Sequence, residues 1–173
     1  MNREGLMKIA EEVNANLKPT NPIKINTKST FETLMGGIKE IVEAFEGKAA
    51  LSKSTIDFLC EKGAKTAVLS HFGRPKGGPD PEFSLAFLAP VLKKQWNHEV
   101  SFAADCIGPQ AQKAVDALPS GGIVLLENLR FHKGEEANDP AFVRELAKLG
   151  QVYVNDAFSA AHRAHASTEG LAR

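Results

Sequence analysis

The chain has 173 residues, enough for one domain of ordinary size that buries roughly 70% of its unfolded surface. Lys plus Arg and Asp plus Glu are 21 each, so the formal charge is zero. That balance excludes a nucleic-acid binder working by bulk charge and a polybasic membrane module. No apolar run approaches 18 residues, and the opening MNREGLMKIAEEVNANLK has no apolar signal core. Two cysteines, Cys60 and Cys106, make neither a disulfide framework nor a metal knuckle, and the expected compartment is the reducing cytoplasm.

In chain order, residues 3–17 and 30–45 are amphipathic helix candidates. Between them lies a stretch broken by Pro19 and Pro22. Residues 54–62 place Ile56, Leu59 and Cys60 on one helical face, with Gly63 as the C-cap. TAVLSHF (66–72) is a strand, and GRPKGGPDP (73–81) is a loop. Residues 83–96 are helical with Ser84 as a possible N-cap. Pro90 either kinks that helix or delays its start. EVSFAA (99–104) is a short strand, and 107–118 is a helix stopped by Pro119. GIVLLEN (122–128) is a strand, and Asp139-Pro140 opens a helix over 141–148 with Gly150 as its stop. QVYVNDAF (151–158) is a further strand. Apolar runs with little alternation suit strands buried on both faces. Their alternation with helices predicts an α/β fold with a doubly wound, Rossmann-like parallel sheet joined by right-handed crossovers.

Arginine and histidine are placed unevenly. Of six arginines, Arg74, Arg130 and Arg163 lie just beyond strands, and His71, His132, His162 and His165 fall in the same three segments. Ligands of open parallel sheets bind beyond the carboxyl ends of the strands, and a guanidinium matches phosphate or carboxylate with two parallel bonds. Convergence of Arg74, Arg130 and Arg163 on one cationic cup would make the ligand a small polyanion. Taken singly, each has a plainer reading: an arginine after a strand is usually solvated. His132 beside Lys133 and Glu135 reads as surface, Glu135-Glu136 as a solvated pair, and Cys106 as core. No G-x-x-x-x-G-K-[ST], G-x-G-x-x-G, H-E-x-x-H or C-x-x-C occurs. His162 and His165 could share a metal, but no acidic or cysteine partner is spaced to complete the site, so no metal is expected.

SHFGRPKG, FAADCIGP, LLENLRFHKGEE and VYVNDAFSAAHRAHAST resemble, in order, signature segments of the N-terminal lobe of the phosphoglycerate kinase family. The resemblance is dense from about residue 55 to 171. It implies an incomplete N-terminal lobe of a two-lobe kinase: residues 1–50 form a non-matching, mostly helical segment, and 51–173 a partial phosphoglycerate-binding domain. The family, a glycolytic transferase, moves a phosphoryl group between 1,3-bisphosphoglycerate and ADP, giving 3-phosphoglycerate and ATP. By motif match, His71, Phe72, Gly73, Arg74, Arg130 and Arg163 are substrate-binding. Mg-ATP or Mg-ADP would bind in a C-terminal lobe that these residues do not include. No nucleic-acid or membrane partner is implied, and an unfinished sheet edge would favour self-association. The family's R-V-D-F-N-V-P strand has no counterpart, and Ser54-Thr55-Ile56 stands where a T-R-I arginine is expected. No catalytic residue is therefore assigned, and the isolated chain is expected to be inactive. The alternative is a non-catalytic anion-binding or interaction module derived from that lobe.

Overall fold

The computed structural model describes residues 53–155 and 162–173. The helix candidates at 3–17 and 30–45 lie outside them.

A helix, α1 (Lys53–Glu61), opens the described chain and ends in a Schellman motif. Gly63 takes φ +74°, its N–H donates to the Cys60 carbonyl, and the Ala64 N–H donates to the Leu59 carbonyl. Strand β1 (Thr66–Val68) follows, then a 3-10 turn at Pro81–Phe83 and helix α2 (Leu88–Trp96). Strand β2 (Val100–Ala103), helix α3 (Gly108–Asp116) and strand β3 (Ile123–Leu126) complete the sheet. Beyond β3 come a 3-10 turn (Leu129–Phe131) and the helices α4 (Lys133–Glu136) and α5 (Pro140–Ala147). Asp139 caps α5 through its Oδ1, which accepts from the Ala141 and Phe142 N–H groups. A π turn at Ala166–Gly170 ends the chain.

The sheet is parallel, in the order β1-β3-β2, so β3 is its centre. All four residues of β3 are buried, and they divide between two cores. Ile123 and Leu125 pack with Ile56 of α1 and with Leu88, Leu92 and Trp96 of α2. Val124 and Leu126 pack with Ala111 and Val115 of α3 and with Phe142 and Leu146 of α5. Helices therefore cover both faces, which is why β3 reads as unbroken apolar sequence. Fully burying one such aliphatic side chain stabilises the fold by about 1.5–3 kcal/mol.

Two expectations change. Ser84 does not cap α2: Pro90 is accommodated in the first turn, so the helix starts at Leu88, and the Ser84 hydroxyl donates to the Glu127 carboxylate at 2.6 Å. The segment 151–155, the described part of the predicted strand 151–158, joins no described ladder, and Val152 is 84% exposed. β-branched residues raise strand propensity, but a strand exists only with a neighbour to pair with. Here the Tyr153 hydroxyl is shared between the carbonyls of Ser167 (2.9 Å) and Thr168 (3.3 Å), which holds this stretch against the π turn. Residues 156–158 lie outside the described chain.

Candidate anion-binding site at the strand ends

The carboxyl ends of β1 and β3 lie side by side, because the two strands pair in parallel. The Leu129 N–H donates to the Ser70 carbonyl at 3.1 Å and continues that contact past the ladder. The loop after β1 and the turn after β3 therefore leave the sheet together.

Asn128, fully buried, fastens them. Its Nδ2 donates to the carbonyls of Phe72 (2.7 Å) and Phe83 (2.8 Å), and its Oδ1 accepts from the N–H groups of Phe72 (3.3 Å) and Arg130 (3.1 Å). Glu127 beside it, also buried, accepts from Ser84 Oγ, the Leu85 N–H (2.7 Å) and the Asn128 N–H (2.8 Å). Phe72 packs edge-on against Phe87, with ring centroids 5.5 Å apart. Gly73 has φ +62°, and a Cβ there would lie 2.3 Å from the Phe83 ring, so only glycine fits. Its carbonyl accepts from Arg130 Nη1 at 2.6 Å. The Arg130 side chain is only 10% exposed, and its Nε lies 3.4 Å from the Glu136 carboxylate.

His71 lies beside this junction. Burial, followed by the charges of Arg130, Arg163 and His165, pushes its imidazole down to about 4, so it is neutral at pH 7. A neutral ring keeps one N–H donor and one nitrogen acceptor.

The segment carrying His162, Arg163 and His165 is attached through the π turn, where Ala166 enters the core, Asn138 Nδ2 donates to Glu169 at 2.7 Å, and a buried carboxylate, Glu135, holds Ser167. Glu135 is 1% exposed, so it is not the solvated partner of Glu136 that the sequence predicts. Its oxygens accept from Ser167 Oγ at 2.6 Å and the Ser167 N–H at 3.0 Å, and His165 Nδ1 lies 3.9 Å away. Burial raises its pKa, against the pull of the Ser167 hydrogen bonds. The Thr168 hydroxyl contacts the carbonyls of Arg163 (2.6 Å) and His165 (3.1 Å).

Of the sequence-predicted site residues, Phe72, Gly73 and Arg130 form one bonded junction, His71 lies buried beside it, and the charges of Arg130 and Arg163 both reach His71. Arg74 is exposed and follows Gly73 directly; it is carried to the same rim by the chain rather than by a contact of its guanidinium. Ser54-Thr55-Ile56 forms the first part of α1, and Ile56 is fully buried.

His132 is half-buried rather than plain surface. It stacks on Phe142, with centroids 5.2 Å apart, and its Nε2 lies 2.8 Å from Asp105 Oδ1. With Cys106 these two make a group whose ligand atoms fall within 4.8 Å of one another. Cys106 is a core residue as expected, and burial, then the nearby Asp105 and Glu135 charges, push its thiol up to about 12. The thiol is therefore protonated, and the Asp105–His132 pair already satisfies its own facing atoms. The donor set fits a hydrogen bond beside a core thiol better than a preformed ion site.

Parallel strands ending in a glycine-bearing loop and a fixed guanidinium define an α/β protein with a candidate ligand site beyond its strand ends. The family model described as phosphoglycerate kinase matches residues 31–173, and the chain belongs to that family. That match begins inside the segment 1–50. The phosphoglycerate kinase of Rhizobium leguminosarum bv. trifolii is 64% identical over 118 residues, covering 68% of this chain and 30% of that protein. That of Caulobacter sp. strain K31 is 62% identical over 119 residues, with 69% and 30% covered. The solved structure of phosphoglycerate kinase from Coxiella burnetii is similar at a TM-score of 0.62 and 38% identity, over 78% of this chain and 31% of that one. The enzyme from Pyrococcus horikoshii gives the same TM-score at 32% identity. The chain thus spans about 30% of the length of these curated relatives.

Proposed function

We propose that this chain supplies the phosphoglycerate-holding part of the phosphoglycerate kinase reaction, binding 3-phosphoglycerate or 1,3-bisphosphoglycerate through His71, Phe72, Gly73, Arg74, Arg130 and Arg163. The observation that carries this reading is the hydrogen bond of Arg130 to the Gly73 carbonyl, with Arg163 near enough to act on His71. A guanidinium has five N–H donors. Arg130 Nη1 holds the Gly73 carbonyl, which fixes the guanidinium at the rim where a carboxylate or phosphate would meet it, while neutral His71 offers a single N–H.

Those roles suit the chemistry. The transferred phosphoryl group is loose and metaphosphate-like, so holding it in line and spreading its charge over fixed donors does most of the work. The acceptor oxygen is a carboxylate in one direction and a phosphate in the other, so no general base is required. Mg-ATP or Mg-ADP supplies the second phosphate-bearing substrate. The described residues offer no glycine-rich phosphate loop for it, and the nucleotide is assigned to the other lobe of the family. The 173 residues alone are therefore expected to show no turnover in a coupled assay with ADP and 1,3-bisphosphoglycerate. Measured turnover would overturn that expectation.

The same reading puts the chain in the cytoplasm, in keeping with two free cysteines and with no described helix long and apolar enough to cross a membrane. β1 and β2 leave open edges among the described residues, so pairing of two copies along an edge is proposed at high concentration.

Calorimetric titration of 3-phosphoglycerate into the chain tests the site. A charge-assisted hydrogen bond contributes about 1.5–3 kcal/mol, so Arg130→Ala should abolish measurable heat. Equal affinity in the variant would remove Arg130 from the site.

A further inference from the structure

Asn128 carries no charge, reaches no solvent, and belongs to none of the groups assigned to substrate. Its amide is nevertheless used to capacity: two donors and two acceptor positions, each engaged. The four bonds run to three separate stretches, the loop at Phe72, the turn at Phe83 and the backbone of Arg130. All three follow the carboxyl ends of β1 and β3 in the chain, with the Phe72 ring in the core on the α1–α2 face and Phe83 packed against it. No other side chain of this size offers that pattern. Aspartate keeps the acceptors but loses both donors, and leucine loses all four.

We propose that Asn128 is a positioning residue for the anion site: its carboxamide sets the distance between the His71–Gly73 loop and Arg130, so that the ligand meets donors already in place. The inference rests on the phosphoglycerate reading of that patch. One amide plane fixes both backbones, and the bond from Arg130 Nη1 to the Gly73 carbonyl follows from that alignment. Without it, the loop and the turn keep the backbone bonds of the Leu129 N–H to Ser70 and of the Gly78 N–H to Phe131, neither of which touches the Phe72–Gly73 stretch. Arg130 then has no fixed register against Gly73, and ordering it falls to the ligand, which weakens binding.

The test uses the full 173-residue chain in three variants, Asn128→Ala, Asn128→Asp and, as a control on the α3 face of the sheet, Val115→Ala. Two readouts are taken from each: affinity for 3-phosphoglycerate by calorimetry, and the titration midpoint of the His71 imidazole by NMR. Both Asn128 variants should bind about tenfold or more weakly. Their His71 midpoint should rise from about 4 toward its ordinary value as the junction loosens, which admits water to the buried ring and moves Arg130 away. Val115→Ala should lower the melting temperature and move neither readout. A folded Asn128 variant with unchanged affinity overturns the proposal. So does a Val115→Ala variant that loses affinity equally, since general loosening would then explain both. If circular dichroism shows both Asn128 variants unfolded, the residue serves the fold alone and the proposal fails. If the unaltered chain takes up no 3-phosphoglycerate, the ligand reading fails, and the His71 midpoint alone then decides whether Asn128 positions Arg130.

Discussion

Two parts of the anion site are held by different physics. The junction of Phe72, Gly73 and Arg130 is fastened directly by the neutral Asn128 carboxamide and by backbone groups, with the buried Glu127 carboxylate holding Ser84 and Leu85 beside it. The segment of Arg163 and His165 is fastened by charged groups, chiefly the buried Glu135 carboxylate on Ser167, with Asn138 on Glu169 and the Tyr153 hydroxyl beside it. Neutral amide bonds are indifferent to pH and salt. A buried carboxylate is costly to bury, so it is worth keeping only while every lone pair is used. The comparison separates a rigid platform, where the Arg130 side chain is 10% exposed, from an outer arm whose arginine is exposed.

The largest expected effect comes from cutting the outer arm at its root. Glu135→Ala leaves the half-buried Ser167 N–H and hydroxyl without their acceptor and removes the partner of His165. Stability should fall by about 3 kcal/mol, the sum of two unsatisfied groups. Urea denaturation measures that loss. Trypsin should then cut after Arg163 faster than in the unaltered chain, while the Asn128 junction stays protected in hydrogen exchange. If both regions loosen together, they are one cooperative unit and the distinction drawn here is lost.

A smaller effect separates the regions by pH. The folded imidazole of His71 titrates near 4, below its ordinary 6.5, so between those values the unfolded chain binds a proton that the folded chain does not. His71 therefore adds stability in full above 6.5, and that contribution is lost as pH falls toward 4. The slope cannot exceed about 1.4 kcal/mol per pH unit for one proton. Glu135, with a raised pKa, acts in the opposite sense, gaining stability as it takes up a proton on acidification. Urea midpoints of the unaltered chain and His71→Gln, compared from pH 7 to 4.5, isolate the first contribution. Parallel curves would show that His71 is not desolvated by this junction.

What could be read in advance follows the same division. The three strands of the sheet were legible from their apolar runs, but the expected burial on both faces holds only for the central Ile123–Leu126, since Thr66–Val68 and Val100–Ala103 lie at the edges and Ser101 is exposed. The grouping of His71, Gly73 and Arg130 was legible because each follows a strand, and parallel strands bring their ends together. The fasteners were not. Asn128 and Glu127 read as the tail of a strand, since hydrogen bonds to distant segments, three of the four that the Asn128 carboxamide makes, leave no periodic mark. Glu135 reads as half of a charged pair, because burial of a carboxylate depends on Ser167, 32 residues away. The pairing of 151–155 was overstated for a related reason: its valines favour a strand, but a strand's partner lies elsewhere in the chain and is not written in the segment itself.

The smallest effect concerns the exposed rim, and it asks whether Arg74 and Arg163 act as bonds or only as charge. Both are exposed. An exposed ionic contact contributes about 0.2–1 kcal/mol, so Arg74→Ala and Arg163→Ala should each weaken 3-phosphoglycerate by only about two- to fivefold, far less than Arg130→Ala. The mechanism sets a second expectation. Between exposed charges, attraction is screened over about 10 Å at 0.1 M salt, so the penalty for either variant should shrink as salt is raised. The penalty at Arg130, which sits in a fixed hydrogen-bond geometry, should persist. Calorimetry of the three variants at low and high salt measures both quantities. If Arg163→Ala costs as much as Arg130→Ala and stays costly in high salt, the outer arm closes onto the ligand as part of the platform, and the two regions act as one site.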